Sequence, residues 1–174
     1  NKVPIKKASE LFGILNIIFF SPEDLNIIKN GPAERRRFID AELCQLDKIY
    51  LSDLTNYNKI LNQRNKLLKD LYFKPSLKET LPVWDMQLVS YGKKIIARRN
   101  QFIMELNEVV HEIHHKISGG REEMVIKYEP NIEDIFFEDE LIRAKEKDLK
   151  YAQTSVGPHR DDLKISVGDI DVRK

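Results

Sequence analysis

Residues 84–113 read WDMQLVSYGKKIIARRNQFIMELNEVVHEI, and apolar or aromatic side chains return at Trp84, Leu88, Tyr91, Ile95, Phe102, Leu106, Val109 and Ile113. Steps of three and four are the seam of a helix that packs along its length against another. Arg98 fills the slot between Ile95 and Phe102. Thr80 and Pro82 stand at the entry to this run and Gly119 and Gly120 at its exit, as helix boundaries require. A matching seam precedes it at Ile39, Leu43, Leu46, Tyr50, Leu54, Tyr57, Leu61, Leu68 and Leu71, with Arg64 in the slot between Leu61 and Leu68. Phe73, Lys74, Pro75 and Ser76 interrupt the pattern. Folding the chain back about Ser76 sets Leu68 opposite Trp84, Leu61 opposite Tyr91, Tyr57 opposite Ile95 and Tyr50 opposite Phe102. It also sets Leu46 opposite Leu106, Leu43 opposite Val109 and Ile39 opposite Ile113. The expectation is an antiparallel coiled-coil hairpin whose first helix runs unbroken from Ala33. Two helices of about 35 residues would reach on the order of 50 Å. Arg64 is expected to bury its stem and send its charge outward.

Outward from the hairpin the periodicity changes. Residues 14–20 are β-branched and aromatic, the pattern of a buried strand. Ser21, Pro22, Glu23 and Asp24 then follow in the order of an N-cap, a first-turn proline and first-turn acids. Asn30, Gly31 and Pro32 stop that short helix and open the next. Residues 124–128 alternate as a strand closed by Pro130, residues 134–149 carry charge at helical spacing, residues 154–159 form a turn and residues 163–167 a strand. The fold class expected is mainly α with small β parts: a two-helix hairpin spanning residues 21–120, a strand and helix at its base over 121–153, and β-containing ends at 1–20 and 154–174.

Composition narrows the function. Lys and Arg number 29 against 28 acids, for a net charge of +1, so any pull toward a polyanion must come from local clusters. With 41% of residues hydrophobic, the chain holds enough apolar surface to fold. Cys44 is the lone cysteine, which excludes a disulfide framework and multi-cysteine metal sites and suits a reducing compartment. The apolar run 15–20 is far shorter than the roughly 20 residues that span a bilayer. The first residue is Asn1 and no secretory pattern follows, so the chain reads as part of a longer protein.

Four groups of residues invite chemistry. His111, Glu112 and His115 satisfy H-E-x-x-H, in which two histidines one turn apart hold zinc beside a glutamate base. Against a metalloprotease stand Ile113, which belongs to the seam, and Ser118, which replaces the glycine of the extended motif; a solvated polar helix face explains the same residues. Arg35, Arg36 and Arg37 occupy the first turns after Pro32, where the helix dipole favours acids, so either an external phosphate must compensate them or Glu34, Asp40 or acids elsewhere in the base must. Lys93, Lys94, Arg98 and Arg99 form a second basic cluster on the hairpin, with a solvated face as the plainer alternative. Ser155, His159, Asp161 and Asp162 are the residue types of a hydrolytic triad, but four close positions on one turn rarely converge. The glycine, proline and charges of residues 157–162 fit better a turn that places arginine and acids near a phosphate or a subunit edge. No G-x-x-x-x-G-K-[ST] loop, G-x-G-x-x-G motif or Walker B strand occurs, so these residues cannot hydrolyse a nucleotide unaided.

Phe20-Ser21-Pro22-Glu23-Asp24-Leu25, Gly31-Pro32, Arg35-Arg36-Arg37-Phe38-Ile39-Asp40 and the block from Thr154 through Ser155-Val156-Gly157-Pro158-His159-Arg160-Asp161-Asp162 to Leu163 together resemble the RecF family of bacterial DNA replication and repair proteins. The resemblance follows nearly the whole chain in order and spacing. It implies a cytoplasmic recombination mediator with an ABC-type ATPase head similar to SMC heads. Such a protein binds ATP and magnesium, dimerises on ATP, and binds single-stranded and gapped duplex DNA. With RecO and RecR it helps load RecA in recombination, repair and the SOS response. By that likeness residues 1–20 and 154–174 border the ATPase head, with the P-loop before them and the signature and Walker B motifs after. Arg35, Arg36, Arg37, Lys93, Lys94, Arg98 and Arg99 become candidate DNA contacts. Ser21, Glu23, Asp24, His159, Arg160, Asp161 and Asp162 become candidates for coupling to the ATP site. No cofactor is expected within the chain itself. A zinc protease built on His111 and His115, or a hairpin that only docks a protein partner, are the alternatives.

Overall fold

A computed structural model of the chain describes residues 21–173. The strand expected over 14–20 and the head border expected over 1–20 lie outside the described residues. A 3-10 turn, Pro22–Leu25, runs into the short helix α1 (Asn26–Lys29), followed by α2 (Pro32–Leu46), α3 (Lys48–Asp70) and α4 (Leu81–Ser118). Strand β1 (Met124–Glu129), helices α5 (Phe137–Arg143) and α6 (Lys145–Tyr151), and strands β2 (Asp162–Val167) and β3 (Ile170–Asp171) complete the order. The molecule is mainly helical with one small antiparallel sheet, as its periodicities indicate.

Helices α3 and α4 form the antiparallel pair. Tyr50, Tyr57, Leu68, Leu88, Ile95 and Phe102 are buried along it. Gly119, at φ +65°, ends α4 in the left-handed conformation that glycine adopts without strain. The expected single helix from Ala33 is broken at Asp47, whose backbone is extended and whose carboxylate accepts the N–H groups of Ile49 (2.8 Å) and Tyr50 (3.0 Å). An N-cap of this kind starts a new helix on a new axis. Helix α2 therefore turns toward β2, and Ile39 and Leu43 join the same core as Ile126, Leu163 and Ile165.

Consequently the last three facing pairs do not form: Leu46, Val109 and Ile113 are each more than half exposed. The place expected for α2 is taken by β1. There the Asn107 side-chain amide donates to the Ile126 carbonyl (2.6 Å) while its oxygen accepts the Ile126 N–H (2.8 Å). Strand β1 pairs with β2 from Met124 opposite Val167 to Glu129 opposite Asp162, and β3 folds back after Gly168. The helix expected over 134–149 is divided: a 3-10 turn, Asp134–Phe136, leads into α5, and a bend at Ala144 separates α5 from α6. A second, smaller cluster of Leu67, Leu68, Leu71 and Leu81 closes the hairpin turn, with Leu77, Trp84, Leu149 and Ala152 against it. Among the described residues no helix is long and apolar enough to cross a membrane.

Candidate functional site

Where α2, α3 and α4 meet the turn at residues 154–162, the interior holds charge. Arg99, 2% exposed, reaches from α4 to Asp40 of α2 through Nε (3.1 Å) and Nη2 (2.7 Å). Its Nη1 donates to Asp161 Oδ2 (2.8 Å) and to the Pro158 carbonyl (2.8 Å), and its Nε also meets the Tyr50 hydroxyl (3.0 Å). Asp161, 1% exposed, accepts in addition from the Tyr128 hydroxyl and the Asn131 N–H. Burial disfavours the Arg99 charge, but the oxygens of Tyr50, Asp40, Tyr128 and Asp161 more than offset it, so the guanidinium stays charged.

A second buried arginine serves the other end of the same turn. Arg64 is fully buried, and it donates through Nε to Asp85 (2.6 Å) and through Nη1 to Asp148 (2.7 Å) and Thr154 Oγ1 (2.8 Å). Asn65 Oδ1 accepts both the N–H and the hydroxyl of Thr154, at 2.7 Å each, and Asp148 Oδ1 accepts the Ser155 N–H. The expectation that Arg64 sends its charge to solvent is thus corrected: the charge turns inward because Asp85, Asp148 and Thr154 surround it. Arg98 is the more exposed of the two slot arginines and pairs with Asp47 (3.1 Å) and Glu105 (3.6 Å).

Between these two anchors the turn is held by shape. Gly157 has φ +128°, and a Cβ there would sit 2.6 Å from the Tyr57 hydroxyl and 2.9 Å from Phe137. Its N–H donates to Asn131 Oδ1 (3.0 Å). His159 Nε2 donates to the Thr154 carbonyl (3.2 Å), which fixes the tautomer, and its Nδ1 accepts from the Tyr57 hydroxyl (2.7 Å). Burial pushes the His159 pKa down to about 4.

The sequence-derived candidates therefore fall into two sets. Arg35, 4% exposed, closes a two-point pair with Asp162 (2.6 and 3.1 Å) and donates its remaining nitrogen to the Ile27 and Asn30 carbonyls. Arg173 bonds the same Asp162 (3.0 Å). Burial alone would raise the Asp162 carboxyl, but Arg35 and the Leu163 N–H outweigh it and hold it below the ordinary range. The guanidinium groups of Arg35 and Arg99 are thus both buried and bonded within the chain. Arg36 is half-buried and donates to the Asp161 carbonyl (2.6 Å). Burial and the neighbouring Arg99 push its pKa down, against Asp161, Asp162 and Asp40. It lines a small cleft of about 140 Å³ with Asn58 and His159. Arg37 is exposed but shares an open cleft with Glu23, Asp24, Glu34 and Glu42. Lys94 is 58% exposed with Asp53 3.6 Å away, Lys93 is partly exposed, and Arg160 is exposed.

Ser21 and Asp24 cap each other at the start of the 3-10 turn, and Glu23 is exposed beside them. His159, Asp161 and Asp162 each bond other groups and the buried Ser155 hydroxyl has no hydrogen-bond partner, so the four form no triad. His111 stacks on His115 and approaches Glu123 (3.5 Å), but among the described residues no group of three His, Cys, Asp or Glu side chains could hold a metal ion. Cys44 is buried, and burial raises its thiol pKa to about 11, so it is not a nucleophile. Sequence reasoning missed the roles of Tyr50, Tyr128 and Asp148; for Asp148 the available signal was Arg64 in a seam slot, which demands an acid within the fold, whereas Arg99 stands beside its slot and gave no such signal.

No protein-family model matches the chain. Curated relatives do. DNA replication and repair protein RecF of Agathobacter rectalis is 68% identical over 174 residues, that of Lachnospira eligens 59% over 176 and that of Lachnoclostridium phytofermentans 55% over 172. These alignments take in 99–100% of the chain and 48% of each relative, so the chain spans about half the length of the curated relatives it matches. Two solved structures of the recombination mediator protein RecF in the RecFOR pathway, one as RecF-ATP and one as RecF-ATPrS, superpose with a TM-score of 0.88 at 35% identity. They cover 97% of the chain and 48% of their own.

Proposed function

Because this chain belongs to the RecF family, we propose that it works in DNA replication, repair and recombination as the hairpin-bearing part of a recombination mediator. In the full-length protein, ATP and magnesium bound by other segments close two copies into a dimer. Basic side chains on the closed pair then grip DNA, at single-stranded gaps among other places, and RecO and RecR follow to load RecA. A cytoplasmic setting and the SOS response belong to the same reading. The RecF-ATP relative supports the nucleotide, and the RecFOR pathway it is solved from supports the partners.

The observation that carries this reading is the pair of buried arginines. Arg64 and Arg99 bind both ends of the 154–162 turn to α2 and to the hairpin helices α3 and α4, so a displacement of that turn is transmitted to the hairpin instead of being absorbed by a loop. Contact with DNA falls to side chains that keep charge toward solvent: Lys93, Lys94 and Arg160. Phosphate contact positions without reading sequence. The test is a titration of full-length protein with gapped and fully duplex DNA over a salt series, with and without ATP and magnesium. Tighter binding with ATP, weakening as salt rises, is expected; binding indifferent to both overturns the reading.

A further inference from the structure

We infer that the hairpin tip carries a stacking platform for unpaired DNA bases, formed by Tyr72 and Phe73 and flanked in sequence by exposed lysines. This inference deepens the DNA-binding reading and rests on it. Tyr72 is 86% and Phe73 80% exposed, more than any other large apolar residues described. Their rings meet edge to face with centroids 5.0 Å apart. Nothing in the fold requires aromatics there, since the tip is closed from beneath by Leu67, Leu68, Leu71 and Leu81.

The backbone that carries the rings is hydrogen-bonded through the turn. Leu71, 9% exposed, is pulled into that cluster, which leaves the next two side chains facing out. Phe73 and Lys74 N–H groups both donate to the Asp70 carbonyl (3.0 and 2.9 Å), and Leu77 N–H to the Lys74 carbonyl (3.1 Å). Pro75 keeps Lys74 out of the helical region, so α3 cannot extend and cover the rings.

Charge selects the occupant. Lys66, Lys69, Lys74 and Lys78 are exposed and form no ion pair with any described residue. The acids nearest in sequence are Asp70 and Glu79, so the tip keeps a positive excess. An apolar protein groove would use the aromatics but leave the lysines idle. A single strand uses both, its bases stacking on the ring faces and its phosphates meeting the ammonium groups. Duplex DNA, with its bases already stacked, gains only the second.

The test compares full-length wild type with Y72A/F73A and with a variant changing Lys69, Lys74 and Lys78 to Ala, on a single-stranded oligothymidylate and on duplex DNA. A strand carrying aminopurine, whose emission falls on stacking, reports the contact. Trp84 emission, from the cluster beneath the tip, shows whether the fold is kept. Y72A/F73A is expected to lose roughly tenfold in single-strand affinity and the aminopurine quench while duplex affinity stays. The lysine variant is expected to weaken both. Equal single-strand binding by wild type and Y72A/F73A overturns the inference, as does loss of a protein partner with strand binding intact. Failure of wild type to bind either DNA contradicts instead the function proposed above.

Discussion

Arg99 touches α2, α3, β1 and the 154–162 turn through Asp40, Tyr50, Tyr128 and Asp161, two of the contacts being to carboxylates that have no equal substitute. Arg99→Ala leaves Asp161 buried, and Asp40 partly so, without a counter-charge, and about 3–5 kcal/mol of stability should be lost in denaturant unfolding. His159 supplies a pH dependence. Its folded pKa, about 4, lies below the ordinary 6.5, so the unfolded chain takes up the proton first. Its contribution is therefore complete above pH 6.5 and fades as pH falls toward about 4, on the order of 3 kcal/mol in all. Urea midpoints measured across that window should fall with pH, and His159→Gln should flatten the dependence.

Helix α4 was legible along its whole length, because its seam, its entry and Gly119 all say the same thing. The break at Asp47 was not: an acid between two apolar turns is equally at home on a solvated helix face, and only the burial of Ile39 against the sheet decides for a cap. Asp47→Ala should cost about 1 kcal/mol in thermal unfolding, the usual loss of an N-cap. Gly92 was likewise silent in the sequence. In α4 it leaves room for Phe137, whose Cε1 would collide with a Cβ, so α5 can press against the hairpin only at glycine. Gly92→Ala should destabilise by about 1–3 kcal/mol, the range of overpacked cores. Gly157→Ala should cost more, since it adds a left-handed backbone to the same crowding.

At the scale of the molecule, the helical class and the hairpin followed from period alone, and the likeness to RecF followed from the blocks around Arg35 and Gly157. The division of labour among the arginines did not. Arg35, Arg36 and Arg37 are consecutive, and their alternation between a buried pair, a half-buried cleft and an open surface is set by Asp162 and Asp161, more than 120 residues away in sequence. The plainer alternative, that acids of the base compensate them, describes Arg35.

The central claim is that buried arginines hold the turn to the hairpin while exposed cations meet DNA. The salt dependence of duplex binding by the full-length protein tests it most directly, with wild type set beside a variant in which Lys93, Lys94 and Arg160 are Ala. Each lost phosphate contact lowers the slope of log affinity against log salt by about 0.9. The expected result is a slope reduced by about two or more with an unchanged unfolding midpoint; an unchanged slope would contradict the claim.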